Sequence, residues 1–564
     1  MRQAKPAARS PSRRSRLMLL SAALSTGMIG GVWAQADMAP SPLPGDAMAP
    51  VPEMNGTMAP GTQTPFMAGL EPPVGFSAGG SADLSERYVS NALGVGRASG
   101  VATGGDYDTR LRLSLYARDH TPRFDGDLQY TLGADAFANR PSLDRLSNYL
   151  TALGTASLIE DRLLLSARAF AMPVLVNELG PIAAEADRPV ATTSTSGFRN
   201  TYGFTVSPEL LFRLGNFATS TTTLSEGYIS FSRPRGPVLP QFIPGQTPPQ
   251  EVTTTSLTQH FASGTDFDRL NWGVTGTASK TTRPGGDMKV ASGTADMKYA
   301  VSREFALLGT AGYQSITTAQ QLSHHLVGPT ALAGFQLTLG PDFEFSAEAG
   351  QQFNFPSYMG DLHWQIGPFT NLTGSLTDSI RTPGQRLLGG LDSLGVDNGG
   401  NFFDTSFGSS PSFGSGFNPV PLDHSPINSS ISRFRSANLS LVHDSDIAQF
   451  RLTAFRTQVN RLTVEIGIPT VTSTGATFTI SRNVNPNLTG DIDLTYRRQE
   501  LLGGEHTVYS TRLNFNYMFS MLTSAYLRFA YMRRLTDAAL VAATSPLSSS
   551  TSDASVIIGI RREF

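Results

Sequence analysis

Charged side chains recur at every second position in several stretches of this chain, and that spacing sets the chemistry available to them. In Arg110 to Arg118, the residues Arg110, Arg112, Ser114, Tyr116 and Arg118 fall on one side of an extended backbone. Leu111, Leu113, Leu115 and Ala117 fall on the other. Asp127 and Asp135 lie opposite Leu128, Tyr130, Leu132, Ala134 and Ala136, and Arg162 and Arg168 lie opposite Leu163, Leu165, Ala167 and Ala169. Glu344 and Glu348 alternate with Phe343, Phe345, Ala347 and Ala349, and Asp491 and Asp493 alternate with Ile492 and Leu494. Arg451 and Arg512 extend the set. A wall carrying such charges selects solutes by sign and focuses the local field. Its arginines could grip carboxylate or phosphate with paired N–H groups. The plainer outcome is that opposite charges pair and only solvate the wall. Tyr116, Phe170, Phe455 and Tyr526 fall on the same side, positioned to stack on sugar rings or to pack against a plug.

Catalysis and metal binding are weaker readings. The eight histidines are scattered. Asp423-His424-Ser425 is a neighbourhood in sequence, whereas a triad is assembled in space. His324-His325 is an adjacent pair without the spacing or carboxylates of a metal site. No glycine-rich phosphate loop sits at a strand-to-helix junction. The expectation is no enzyme, no cofactor and no metal.

The elements that must position the charges are strands of period two. They run for about ten residues or more, long enough to cross a bilayer at a tilt, whereas strands of soluble sandwiches average about five or six. Tight turns are expected at Glu160-Asp161, Leu214-Gly215-Asn216, Ser302-Arg303, Gly340-Pro341 and Asn485-Pro486-Asn487. Longer Gly, Ser, Pro and Asn-rich connections fall around 174–196, 233–249, 317–327, 383–430 and 536–551. Short turns on one side and long loops on the other are the asymmetry of outer-membrane barrels. The fold predicted is all-β: one transmembrane antiparallel barrel of about 22 strands, within a range of about 18–22, with both termini in the periplasm.

Composition agrees. The chain has 564 residues, no cysteine, a net charge of -2 and 16% charged residues. Its mean hydropathy of -0.12 is too low for a helical membrane protein, and its charge balance argues against a nucleic-acid partner. After the N-terminus, no segment reaches the roughly 18 consecutive apolar residues of a spanning helix. Arg2 to Arg16 is basic, Leu17 to Gly30 apolar, and Ala34-Gln35-Ala36 small, so residues 1–36 read as a signal peptide. Residues 37–83 read as a disordered periplasmic leash, with Met38-Ala39-Pro40, Met48-Ala49-Pro50 and Met58-Ala59-Pro60 at intervals of ten. The barrel is then expected over 84–564, with 383–430 either folding inward to constrict the pore, the favoured reading, or forming a mobile external loop. The last strand, Ala554 to Phe564, ends in the terminal aromatic residue that barrels present to their insertion machinery; Arg562 departs from that pattern.

From Leu84 onward the chain resembles the EpsL-type exopolysaccharide-associated outer-membrane proteins, β-barrel porins also found beside exosortase systems. The resemblance rests on Ser85-Glu86-Arg87-Tyr88-Val89-Ser90-Asn91, on Ile159-Glu160-Asp161-Arg162, on Val206-Ser207-Pro208-Glu209-Leu210, and on Ser263-Gly264-Thr265-Asp266-Phe267 with Leu270-Asn271-Trp272. Ala333-Gly334-Phe335 with Gly340-Pro341 is similar too. It implies a channel linked to export or synthesis of an exopolysaccharide, with the polymer and its periplasmic machinery as partners beside outer-membrane lipid. It transfers no catalytic residue. A general diffusion porin for small hydrophilic solutes is the alternative, and a surface or structural barrel a weaker one. A TonB-dependent transporter shares the count of 22 strands. It needs a folded plug ahead of the barrel, and only about 46 residues precede it here.

Overall fold

The structure is a computed structural model. It describes residues 75–92, 104–175, 198–232, 251–283, 286–319, 322, 326–382, 384–386, 388, 394–396, 402–404, 410–411, 431–445, 447–462, 470–501, 504–538 and 549–564. The signal peptide, the Met-Ala-Pro repeat, His324-His325 and Asp423-His424-Ser425 lie outside the described residues.

Alternation builds strands throughout. In chain order they are β1 (Gly75–Val89), β2 (Asp106–His120), β3 (Phe124–Phe137), β4 (Arg145–Ile159), β5 (Leu163–Leu175), β6 (Phe198–Leu214), β7 (Ala218–Phe231), β8 (Val252–Ser263), β9 (Leu270–Thr282) and β10 (Met288–Ala300). There follow β11 (Phe305–Thr318), β12 (Val327–Thr338), β13 (Phe343–Gln352), β14 (Phe355–Gln365) and β15 (Thr370–Arg381). Three short strands, β16 (Leu394–Val396), β17 (Phe402–Asp404) and β18 (Ser410–Pro411), form a small sheet of their own. The series ends with β19 (Ser432–Asp444), β20 (Ala448–Arg461), β21 (Thr470–Asn485), β22 (Leu488–Leu501), β23 (Gly504–Ser520), β24 (Thr523–Thr536) and β25 (Thr551–Glu563).

Apart from β16–β18, these strands form one antiparallel sheet of 22 among the described residues, and β1 pairs with both β2 and β25. The sheet therefore closes, and closure satisfies every ladder hydrogen bond that lipid could not. Gly80 and Phe564 exchange both backbone bonds at the seam, at 3.0 and 2.9 Å. All five expected tight turns lie at the end of the barrel where β1 begins and β25 finishes. Gly215 (φ 61°) and Gly340 (φ 72°) take the left-handed conformation that two of these turns require. At the other end Phe353 and Asn354 make a two-residue turn with φ of 53° and 65°, so that side is not uniformly long-looped.

The two faces separate cleanly. Leu111, Leu113, Leu115, Leu128, Ile492, Leu494, Ile558 and Ile560 are exposed large apolar side chains, and on β2, β3 and β22 their strand neighbours on the opposite face are polar. Aromatic pairs flank this outer band. Tyr88–Tyr107 and Tyr496–Tyr509 lie toward one end, and Phe343–Trp364, Tyr517–Phe519 and the cluster of Phe217, Phe267 and Trp272 toward the other. An apolar band between aromatic girdles is the outer face of an outer-membrane barrel.

One boundary moves. β1 begins at Gly75, so Gly75–Asp83 belongs to the wall and not to the leash expected over 37–83. Gly-Phe-Ser-Ala-Gly-Gly carries too few apolar side chains to register as alternation. Its backbone pairs nonetheless with β2, from Gly75 opposite His120.

Candidate functional site

Register puts the expected wall charges on the inner face, opposite the exposed apolar residues, with one exception. Arg110, Arg112 and Arg118 stand on β2, Asp127 and Asp135 on β3, and Arg168 on β5. Glu344 and Glu348 stand on β13, Arg451 on β20, Asp491 and Asp493 on β22, and Arg512 on β23. Arg162 is the exception. It is exposed in the turn between β4 and β5, where Asp161 adopts φ 56° and the chain has already left the sheet. Alternation extrapolated one residue too far cannot see that break.

Arg110, Arg118 and Arg512 each pair with a carboxylate on a neighbouring strand. Arg118 Nε lies 2.8 Å from Asp127, and Arg512 reaches Asp493 at 2.6 Å while Thr479 donates to the same carboxylate at 2.7 Å. Asn514 donates to Asp491 at 3.0 Å. Thr310 donates to Glu348 at 3.2 Å, and Gln336 to Glu344. Arg110 stands between two carboxylates, at 3.3 Å from Asp135 and 3.6 Å from Asp108. Asp108 also accepts from Arg87 Nε at 2.6 Å. All four side chains of this group are buried. Burial of ions is tolerated only where partners compensate it, and the cross-strand register supplies them.

Sequence reasoning missed Arg87 and Asp108, although Asp106 and Asp108 continue the β2 alternation upstream. It also missed Asp378 on β15 and Arg433 on β19, a buried pair joined through Arg433 Nε at 2.7 Å. These residues are 55 apart in sequence, and only strand register brings them together.

The four inner aromatic residues have another duty. Tyr116 lies in register with Gly79, Phe170 with Gly203, Phe455 with Gly475 and Tyr526 with Gly559. Each ring covers its glycine so closely that a Cβ on Gly203 would sit 2.2 Å from Phe170. The rings therefore fill the space a side chain would take on the adjacent strand, which stabilises a glycine within a sheet. Their faces are committed to the wall, and neither stacking on sugars nor packing against a plug is needed to explain them.

The inside of the barrel is crossed by its own chain. Just after β15, Gln385 donates to Thr281 Oγ1 on β9 at 3.0 Å. Leu388, buried, lies against Gly227 on β7, and Gly384 lies near Val252 on β8. The Arg386 guanidinium sits 4.7 Å from the centroid of Phe434 on β19. Thr281, Gly227 and Val252 all belong to the inner face. At the same loop-bearing end Met288, Ile316, Leu326, Phe353, Ile431 and Leu462 form a buried apolar cluster, with Val290, Leu322, Phe355 and Ile380 packed against it.

Among the described residues one group brings metal-ligating atoms together: His120, Asp125 and Asp127, within 4.8 Å of one another. Arg118 already engages Asp127, and His120 is hydrogen-bonded to Asp125. A cation there would have to displace a guanidinium.

No family model matches this chain, and no curated protein is similar to it. Solved structures with some likeness include the siderophore receptor PirA from Acinetobacter baumannii, at 8% identity over 87% of this chain and 81% of that one, with a TM-score of 0.43. The FrpB iron transporter from Neisseria meningitidis matches at 9% identity over 86% and 81%, with a TM-score of 0.44. The FpvAI–pyocin S2 complex matches at 9% over 88% and 71%, with a TM-score of 0.45. The resemblance to exopolysaccharide-associated porins is therefore withdrawn: no family model and no curated relative supports it. The residues that suggested it explain why. Ile159 to Arg162 and Gly340-Pro341 are tight turns, and Ser85 to Val89 is alternating strand, features that any large barrel must have.

Proposed function

We propose that this chain carries a hydrophilic, charged solute across the outer membrane along its polar inner face, with the segment after β15 as an internal constriction. Both ends of the barrel chain lie on the periplasmic side in this reading. The apolar band meets outer-membrane lipid, and the terminal strand ending in Phe564 engages the insertion machinery. Arg110, Arg112, Arg118, Arg168, Arg451, Arg512 and the carboxylates beside them line the path. The polymer-export reading goes with the family resemblance that carried it.

One observation carries the proposal: chain emerging from β15 contacts β7, β8 and β9 on the inner face. A wall covered in this way favours a restricted path over an open one. The paired charges leave little net field of one sign, which favours a solute held by local contacts over bulk ion flow. The alternative, a general diffusion porin, draws on the mixed charge of the same wall.

Planar-bilayer conductance separates the two. The purified chain is expected to give small or brief openings. Replacement of residues 384–430 by a short Gly-Ser linker is expected to give large steady ones. A large ohmic conductance that the deletion leaves unchanged would put the diffusion porin in front.

A further inference from the structure

Near the loop-bearing end of β22–β24 the inner face gathers groups that the path described above does not use. His506 is 2% exposed, and neither ring nitrogen has a hydrogen-bond partner. It stands in register with Gln499 on β22 and with Thr536 on β24. The Thr536 hydroxyl is likewise buried and unpartnered. Arg534, buried two residues before Thr536 on the same face, donates through Nη2 to the carbonyl of Ser549 at 3.2 Å, and the Ser549 hydroxyl is a third buried group without a partner. The charges acting on His506 are both positive, the guanidinium groups of Arg497 and Arg534.

A buried imidazole and two buried hydroxyls rarely stay unpartnered in a native fold. Each can donate a proton, and they stand beside two guanidinium groups, which match the geometry of carboxylate and phosphate. Glu500 and Glu505 are held by Arg498 on the outer face, at 3.2 and 2.5 Å, and Asp537 accepts from the Glu505 backbone N–H at 3.2 Å. Asp553, buried on β25 diagonal to Arg534, accepts from the Ser90 hydroxyl at 3.1 Å and the Asn91 backbone N–H at 3.0 Å.

The geometry points to an oxyanion-binding site formed by His506, Arg534, Arg497, Thr536 and Ser549. Its ligand is a phosphate or carboxylate group, with oxygens accepting from the imidazole N–H, the hydroxyls and the guanidinium of Arg534. This deepens the proposed function, because it names the class of solute that the inner face holds at its loop-bearing end. A free anion and one borne by an organic solute present the same chemistry of capture.

The test is calorimetric titration of the purified full-length barrel with inorganic phosphate, glucose 6-phosphate and glucuronate. Saturable binding of at least one is expected. His506→Leu and Arg534→Gln should each weaken it tenfold or more, while Arg534→Lys loses less and Arg162→Gln, in an exposed turn, is unaffected. Heat-modifiable gel mobility checks that each variant is a folded barrel. Preference for inorganic phosphate identifies a free ion, and preference for either sugar identifies an organic solute. No saturable binding of any of the three overturns the site, as does binding indifferent to both His506→Leu and Arg534→Gln in folded barrels. A barrel that binds through His506 but passes no solute keeps the site and overturns the transport reading. The converse, passage without binding at His506, does the opposite.

Discussion

The side-chain amide of Gln385 donates to Thr281 Oγ1 at 3.0 Å, although β15, which Gln385 has just left, stands six strands around the barrel from β9. This bond ties the start of the long connection to the wall six strands away. Gln385→Ala removes it, at a cost of about 0.5–1.5 kcal/mol for one hydrogen bond. Single-channel recordings should then show openings that are longer or more frequent than those of the unaltered chain. An unchanged record would mean that the constriction does not depend on this tether.

The buried ion group on β1–β3 should be the most sensitive polar spot in the wall. Asp108→Asn takes a carboxylate from between Arg87 and Arg110, with all three side chains at 3% exposure or less. Removing one partner of a buried pair costs about 3–5 kcal/mol. Denaturant unfolding in detergent should place the midpoint well below that of Asp125→Asn, whose carboxylate is largely exposed. Equal midpoints would show that the group is dispensable.

Glycine at 203 is fixed by the ring above it. Gly203→Ala brings a Cβ to 2.2 Å from Phe170, and overpacking of this kind costs about 1–3 kcal/mol. The same denaturation experiment measures it, and Gly203→Ala combined with Phe170→Leu should recover part of the loss. No recovery would place the strain in the backbone.

The assignment of faces makes a paired prediction on one strand. Leu113 is exposed on the apolar face, while Ser114 faces inward and is bonded to Thr131 at 2.9 Å. Leu113→Arg should cost about 2–4 kcal/mol if residue 113 lies near the bilayer midplane. Ser114→Arg, on the polar face, should cost much less. Folding titrations into lipid vesicles measure both, and a reversed order would turn the barrel inside out.

The strands were legible because a closed sheet between lipid and a polar interior enforces a period of two along nearly every segment. The strand count followed from turns such as Gly340-Pro341, whose residue types declare them. The start of β1 escaped notice because Gly79 and Gly80 are packed from outside their own strand, by Tyr116 and by the Phe564 ring, so the local sequence has no apolar pattern of its own. The wall charges were legible by face, yet their partners were not. Arg433 meets Asp378, and Arg512 meets Asp493, through register between strands, which the spacing within one strand does not encode. His506 looked like one scattered histidine among eight, because Arg534 comes from the far end of β24 and Ser549 from the segment before β25.

Closure at the β1–β25 seam also limits how another protein can take hold of this one. With β1 paired on both sides, the described wall offers no strand edge, so a peptide cannot attach by adding itself to the sheet. Any companion must recognise side chains: those of the lipid-facing band within the membrane, or those of the turns and loops at either rim.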